Sequence, residues 1–232
     1  MMAPKARIAI VDYALGNLYS VARACERVDL DVMVTSNASE LHAADAVVLP
    51  GVGAFGDAMA NLRDRDLVSP LREIALSEKP LIGICLGLQL LMTESEEFGC
   101  HEGLGIIPGR VVHLDAPQGK RGTLKVPHVG WNRVELPNPS GAGWDESPLK
   151  GIAPSTYFYF VHSYCIEPDD RRVVLSETTY GNRRFCSAVQ QGNVIAFQYH
   201  PERSAADGNK VYKNIAAMIR SQQQQEDGKH VA

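Results

Sequence analysis

Five cysteines among 232 residues, none in CxxC spacing, are too few and too scattered for a disulfide framework. Cys25, Cys85, Cys100, Cys165 and Cys186 also lack any spacing that suits structural zinc. The chain therefore reads as a protein of the reducing cytoplasm, with neither metal nor other cofactor. No apolar run approaches the roughly 18 residues of a membrane-spanning helix. The stretch Met1–Tyr13 holds one short apolar run and no cleavage-like site, which argues against a secretory signal. A formal net charge of −4, without a clustered basic excess, excludes the usual nucleic-acid footprint. Arg171-Arg172 and Arg183-Arg184 read as solvated loop charges. No internal repeat is visible, and no linker splits the chain.

What is present is the composition of one folded α/β unit. Hydrophobic residues make up 45% of the chain, enough to bury a substantial core, and the 22% of charged residues is too ordinary for disorder. Short apolar runs alternate with helical spacing through the first ninety residues. Arg7–Val11, Asp31–Thr35, Ala46–Leu49 and Leu81–Ile84 read as strands; 18–28, 54–63, 71–77 and 86–93 read as helices. Such alternation predicts right-handed crossovers and a mostly parallel, doubly wound sheet. From there the pattern turns extended, at 105–114, 124–136, 156–161, 172–179, 185–190 and 194–199. These segments either continue the sheet or form an antiparallel flap. Residues 207–220 make a closing amphipathic helix. The Gly-, Pro- and Ser-rich segment 137–148 reads as a surface loop and the Gln-rich tail 221–232 as frayed, leaving residues 1–220 as a single domain.

Leu81-Ile82-Gly83-Ile84-Cys85-Leu86-Gly87 has the form strand, G-x-C-x-G, helix. With serine, that layout is the nucleophile elbow of α/β hydrolases, and the physics transfers to sulfur. A sharp strand-to-helix turn strains the nucleophile's dihedrals, and glycines on either side remove side chains that would clash. The thiol then sits at a helix N-terminus, where thiolate is favoured, and the Leu86 N–H can bind a developing oxyanion. On the pentapeptide alone, a small buried cysteine in a Gly-rich turn is equally admissible. The other cysteines lack this setting: Cys25, Cys165 and Cys186 fit core packing, and Cys100 lies in a turn.

A thiol nucleophile needs a base, and the base needs an orienter. Of seven histidines, His200 follows the apolar strand 194–199 and is tied by Pro201 to Glu202 in a rigid turn. His42, His101 and His230 read as surface residues, and His113 lies in a strand with no identifiable partner.

Gly83-Ile84-Cys85-Leu86-Gly87-Leu88-Gln89 with His200-Pro201-Glu202 resembles the class I (triad) glutamine amidotransferases. Within that family, five further segments resemble the glutaminase subunits of imidazole glycerol phosphate synthases. They are Asp12-Tyr13, Gly16-Asn17-Leu18, Pro50-Gly51-Val52-Gly53-Ala54-Phe55, Pro127-His128-Val129-Gly130-Trp131-Asn132 and Phe160-Val161-His162-Ser163-Tyr164, and the likeness spans roughly residues 7–220. The resemblance implies a flavodoxin-like fold: a mixed, mostly parallel sheet flanked by helices, with an added antiparallel flap. It also implies roles. Cys85 attacks the glutamine side-chain amide, His200 protonates the departing ammonia and Glu202 orients His200. The backbone of Gly51, Val52 and Gly53 completes the oxyanion hole with Leu86, after a peptide flip driven by the partner. Gln89, Glu97, Ser163 and Tyr164 bind substrate. Asn17, Trp131, Tyr159 and Arg203 lie near a (β/α)8-barrel cyclase subunit that forms a heterodimer and takes up the ammonia. Arg203 departs from the family's usual lysine, and its planar fork is not equivalent to an ammonium.

Other glutaminases of the class, serving anthranilate, GMP or pyridoxal phosphate synthesis, generally lack the Pro-His-x-Gly-Trp-Asn segment. A non-catalytic regulatory subunit would have a damaged triad. A cysteine peptidase or redox sensor would explain the elbow, but not Gln89 or His-Pro-Glu.

Overall fold

Arg7–Val11 carries one exposed residue followed by four buried ones, the signature of a strand covered on both faces. This strand, β1, pairs in parallel with β2 (Asp31–Thr35) and with β3 (Ala46–Gly51), and β3 pairs in parallel with β4 (Leu81–Cys85). The connections are α1 (Leu18–Glu26), α2 (Ala38–Ala43), α3 (Phe55–Asp64) and α4 (Val68–Leu76), and β4 runs directly into α5 (Leu86–Leu90). The structure is a computed structural model. It describes residues 5–120, 122–137 and 143–230, with side chains as far as Gln224. Residues 1–4, 231–232 and 138–142 of the expected Pro-rich loop lie outside the described residues, as does the side chain of His230.

The extended second half resolves into both expected possibilities. The short strands β5 (Glu94–Ser95) and β6 (His101–Glu102) pair beside β7 (Gly109–His113), while β8 (Gln118–Gly119) and β9 (Gly122–Thr123) form a separate hairpin. β10 (His128–Val134) and β11 (Thr156–His162) form an antiparallel ribbon of their own, which is the flap. β12 (Tyr164–Pro168), β13 (Val174–Tyr180), β14 (Arg183–Gln191) and β15 (Val194–Phe197) extend the main sheet antiparallel, until β15 returns parallel to β4. Among the described residues, eleven strands form that sheet, in the order β2-β1-β3-β4-β15-β14-β12-β7-β5-β6 with β13 against β14. Two apolar clusters cover its faces.

Several boundaries differ from the sequence expectation. α2 and β12 carried no clear periodic signal, because α2 buries only Leu41 in its six residues and β12 alternates imperfectly. Helix α5 stops at Leu90 rather than 93, since the chain turns there to lay Leu91 and Met92 into the core. The closing helix, α6, runs Ala205–His230 instead of ending at Arg220. Its glutamine run is a good helix former, and the Arg220 guanidinium donates to the Val28 carbonyl at 2.9 Å. His101, expected at the surface, is half-buried against Gly56, where a Cβ would meet its ring carbon at 2.9 Å.

β1, β3, β4 and β15 are mutually parallel, so their C-terminal ends share one edge of the sheet. Tyr13, Gly51, Cys85 and His200 lie at or just beyond those four ends. Open α/β sheets place ligand sites at this edge.

Candidate active site

Cys85 is the last residue of β4 and the N-cap of α5, at φ 55° and ψ −109°. A non-glycine residue in that region is strained by on the order of 1–3 kcal/mol and persists only where its surroundings hold it. The flanking glycines show how. A Cβ on Gly87 would come within 1.8 Å of the Leu49 carbonyl oxygen, and one on Gly83 within 2.8 Å of the Ala196 Cβ. The elbow therefore folds against β3 and β15 only because both positions lack side chains. With α5 only five residues long, its dipole is small. The first N–H groups of the turn, Leu86 foremost, are the stronger electrostatic feature.

Gly51 pairs with Cys85 across the β3–β4 ladder. A Cβ there would meet the Tyr13 hydroxyl at 2.3 Å and the Leu86 Cβ at 2.8 Å, so the Gly51 and Leu86 backbones lie side by side. The Tyr13 hydroxyl, fully buried, donates to the Pro50 carbonyl at 2.7 Å and anchors the start of this turn. Burial and the charge of Cys85 push the Tyr13 phenol above its ordinary range, so it stays protonated. Val52 is exposed, and Gly53, at φ +109°, adopts a conformation that side-chain-bearing residues resist.

His200 lies three residues beyond β15. Its Nδ1 contacts Glu202 Oε1 at 2.7 Å, and both side chains are almost fully buried. The turn is stitched to the flap: the His200 N–H donates to the Tyr159 carbonyl at 2.9 Å, and the Tyr159 N–H to the Ser204 Oγ at 3.0 Å. Burial on its own would lower the His200 pKa. The hydrogen-bonded Glu202 carboxylate and the neighbouring Cys85 outweigh it and raise the ring to about 10. Held against Glu202 and Cys85, the ring favours its imidazolium form. Such a site can attack a carbonyl-type carbon with sulfur, hold the resulting oxyanion on backbone N–H groups, and protonate the leaving group from His200.

The four residues expected to bind substrate are each held by the fold. Gln89, one turn into α5, donates from Nε2 to the Tyr164 carbonyl at 3.0 Å and to Gln198 Oε1 at 3.2 Å. The Glu97 carboxylate accepts from the Phe55 N–H at 2.6 Å, capping α3, whose N-cap Ala54 has no capping side chain. This ties Glu97 to the segment that follows the Gly51–Gly53 turn, so it is not a free loop acid. The Tyr164 phenol is raised by burial and by the Glu97 and Glu96 charges. Ser163 joins β11 to β12, its carbonyl accepting from the Leu114 N–H at 2.8 Å.

Three of the four expected partner-facing residues form one row. Trp131 and Tyr159 are register partners with ring centroids 6.2 Å apart, and the Arg203 guanidinium stacks 4.5 Å from the Tyr159 centroid. The planar fork of Arg203 is thus used in stacking. Asn17 is not part of that row. It caps α1, accepting from the Ser20 N–H at 3.3 Å, and α1 packs on the Pro201–Arg203 turn.

The remaining cysteines are free. Burial pushes the Cys25 and Cys165 thiols up to about 12 and Cys186 higher still, while Cys100 is exposed. His113 does have partners, the Tyr164 ring at 5.1 Å and Asp115 Oδ1 at 3.4 Å. Among the described residues no His, Cys, Asp and Glu group could hold a metal ion, and no helix is long and apolar enough to cross a membrane. Sequence reasoning missed Gln198 and Val161. The Gln198 Nε2 and the Val161 carbonyl each lie 3.8 Å from Cys85 Sγ. A lone glutamine closing the apolar run Val194–Phe197 was the available signal for the first; Val161 acts through its backbone and has none.

A family model described as glutamine amidotransferase class-I matches residues 9–218. The imidazole glycerol phosphate synthase subunit HisH of Rhodopirellula baltica is 47% identical over 209 residues, covering 90% of this chain and 96% of that protein. The subunit of the same name from Moorella thermoacetica is 47% identical over 213 residues, covering 92% and 95%. Among solved structures, PurLQS from Thermotoga maritima aligns with a TM-score of 0.70 at 18% identity, covering 93% of this chain and all of that one. The glutaminase domain of Trypanosoma brucei CTPS aligns at 0.63 and 18% identity, covering 94% of each chain. At that identity the structural likeness speaks for the fold.

Proposed function

The chain belongs to the class-I glutamine amidotransferase family, and on that premise we propose that it is the glutaminase subunit of an imidazole glycerol phosphate synthase. The observation that carries the chemistry is the strained Cys85 elbow facing the buried His200–Glu202 pair. The name shared by relatives at 47% identity over nine-tenths of the chain supports the particular synthase.

The reaction follows from the geometry. Cys85 sulfur attacks the side-chain amide carbon of glutamine, and charge develops on the amide oxygen. Backbone N–H groups of Leu86 and of the Gly51–Gly53 turn receive that charge. Collapse of the intermediate breaks the C–N bond, with His200 delivering the proton that lets ammonia leave. A thioester remains. Water, deprotonated by the now neutral His200, then releases glutamate and restores the thiolate. Gln89, Glu97, Ser163 and Tyr164 hold the substrate, with the Glu97 carboxylate suited to its ammonium group.

Ammonia passes to a (β/α)8-barrel cyclase subunit that docks on the face formed by Trp131, Tyr159 and Arg203, with Asn17 beside it. The pair works in histidine biosynthesis in the cytoplasm. Gly51–Gly53 completes the oxyanion hole when the cyclase and its nucleotide ligand are in place, so glutaminase turnover rises on complex formation. Turnover that is substantial alone and unchanged by the partner would overturn this coupling. Cys85→Ala is expected to abolish glutamine-dependent synthesis by the complex and to leave ammonia-dependent synthesis intact; surviving glutamine hydrolysis would overturn the nucleophile assignment.

A further inference from the structure

We propose that Gln198 is a positioning residue for the nucleophile, and that it forms the inner end of a hydrogen-bond network whose two arms, one from Asn132 on β10 and one from Cys85 Sγ, meet at the Tyr164 carbonyl. The proposal rests on the glutaminase reading of the site.

The network has six links. Asn132 Nδ2 meets His128 Nε2 at 3.3 Å, and His128 Nδ1 meets His162 Nε2 at 3.1 Å. His162 Nδ1 meets the Tyr164 carbonyl at 2.8 Å, and Gln89 Nε2 donates to that same oxygen at 3.0 Å. Gln89 Nε2 reaches Gln198 Oε1 at 3.2 Å, and Gln198 Nε2 reaches Cys85 Sγ at 3.8 Å. Gln89, His128, His162 and Gln198 are all buried. Buried amides and rings of this kind are retained at a cost unless every polar end is matched.

Direction follows from a single fixed point. The Tyr164 carbonyl can only accept. Outward in one direction, His162 must therefore carry its proton on Nδ1, which leaves Nε2 to accept from His128 Nδ1–H. His128 Nε2 then accepts from the Asn132 amide, whose second proton goes to the Thr179 carbonyl at 3.0 Å and whose oxygen accepts from the Arg133 N–H at 2.8 Å. Burial holds His128 down to about 4 and His162 to about 3, so both rings are neutral near pH 7 and the polarity stands. In the other direction, the Gln89 amide nitrogen must face the carbonyl. Gln198 therefore presents its oxygen to Gln89 and its N–H to sulfur.

That N–H has a chemical consequence. A donor aimed at sulfur stabilises thiolate more than thiol. The opposing contact is the Val161 carbonyl, which can accept only from the thiol form. Val161 lies on β11 beside His162, and Val129 opposite it is on β10. The flap thus holds the outer end of the thiolate-favouring network and, through Val161, the thiol-favouring acceptor. Trp131 and Val129 are about half exposed on that same strand β10, where a partner would dock.

The test is the pH dependence of Cys85 alkylation by iodoacetamide in the complex with the cyclase, alongside glutamine kinetics. The other ionisable groups around Cys85 are His200, Glu202 behind it and Tyr13, and none of them is altered. Gln198→Leu is expected to move the alkylation midpoint up by about one pH unit. It should also lower kcat about tenfold, with KM within about twofold. Asn132→Leu, at the far end, is expected to move the midpoint the same way by less. An unchanged midpoint in Gln198→Leu would overturn the positioning role, and an unchanged one in Asn132→Leu would overturn the network. Should Gln198→Leu not fold, as read by its melting curve, Gln198→Met takes its place with the same two outcomes. If the wild-type complex releases no ammonia from glutamine, the glutaminase reading fails while the alkylation profile still reports on Gln198.

Discussion

A His–Glu pair and a His–His pair lie within this fold, all three rings buried, and their protonation is shifted in opposite directions. His200 sits against Glu202 and Cys85 and is raised to about 10, whereas His128 and His162 sit against each other and are lowered to about 4 and 3. Burial opposes charge at all three rings. What differs is the neighbour. An imidazole beside anions becomes a cation that can give a proton, and one beside an amide or another imidazole stays neutral and only passes on orientation. The first arrangement suits catalysis; the second suits the fixing of tautomers and positions.

The sharpest way to break the comparison is to remove the anion from the first pair. Glu202→Gln keeps the shape and cancels the charge. His200 should fall from about 10 toward its ordinary range in an NMR titration, and glutamine-dependent turnover of the complex should drop roughly 10²–10³-fold. Retained turnover with an unshifted ring would mean that Cys85 alone holds the proton on His200.

A smaller effect sharpens the second pair. Rings that are neutral in the folded state but protonated in the unfolded state lose stability as pH falls. The unfolded chain binds more protons between 6.5 and the depressed native values of about 4 and 3, so the loss begins near 6.5 and is complete once pH passes below those values. By pH 5 each ring should account for about 2 kcal/mol. His162→Gln should flatten the acid limb of a plot of unfolding free energy against pH. His200 works in the opposite sense: its raised native pKa favours the folded state below about 6.5, and that contribution is lost as pH rises through about 10. An acid limb unaffected by His162→Gln would show that this pair is solvated or charged in the native state.

The smallest effect tests the contact between the two regions. Arg203, next to Glu202 in the turn after β15, stacks on Tyr159 of the flap. Arg203→Lys should weaken that stack and reduce the partner's activation of glutaminase turnover by no more than about fivefold, with turnover of the isolated chain unchanged. A loss of several hundredfold would mean that the Arg203 guanidinium carries the docking contact itself and does more than brace the turn against the flap.

The legibility of these parts in the sequence follows how local they are. Gly83-x-Cys85-x-Gly87 is a turn whose geometry is written within five residues, so the elbow could be read and its two glycines prove necessary at 1.8 and 2.8 Å. His200-Pro201-Glu202 is equally local, and the carboxylate returns to the ring as expected. Of the first four strands, β1, β3 and β4 were readable as short, almost continuously buried runs, while β2, at the sheet edge, buries only Thr35 and was read from its β-branched residues. β12 was not, since Tyr164–Pro168 alternates imperfectly and is placed by β7 and β14 from distant parts of the chain. Glu97 could be named from the resemblance, but its tie to the Phe55 N–H, forty-two residues away, could not.

Alone, then, the sequence determined the sheet's parallel half and the two tight turns that carry Cys85, His200 and Glu202, because strand periodicity and tight turns depend on neighbours along the chain. Only the tertiary structure decided which histidines are charged, where Gln198 points and how the flap reaches the sulfur. Those properties depend on groups that sequence keeps far apart: Gln198 lies 109 residues from Gln89 and 113 from Cys85, yet a hydrogen bond joins it to each. The energy of a proton or an amide is set by what surrounds it in space, and no local pattern records that.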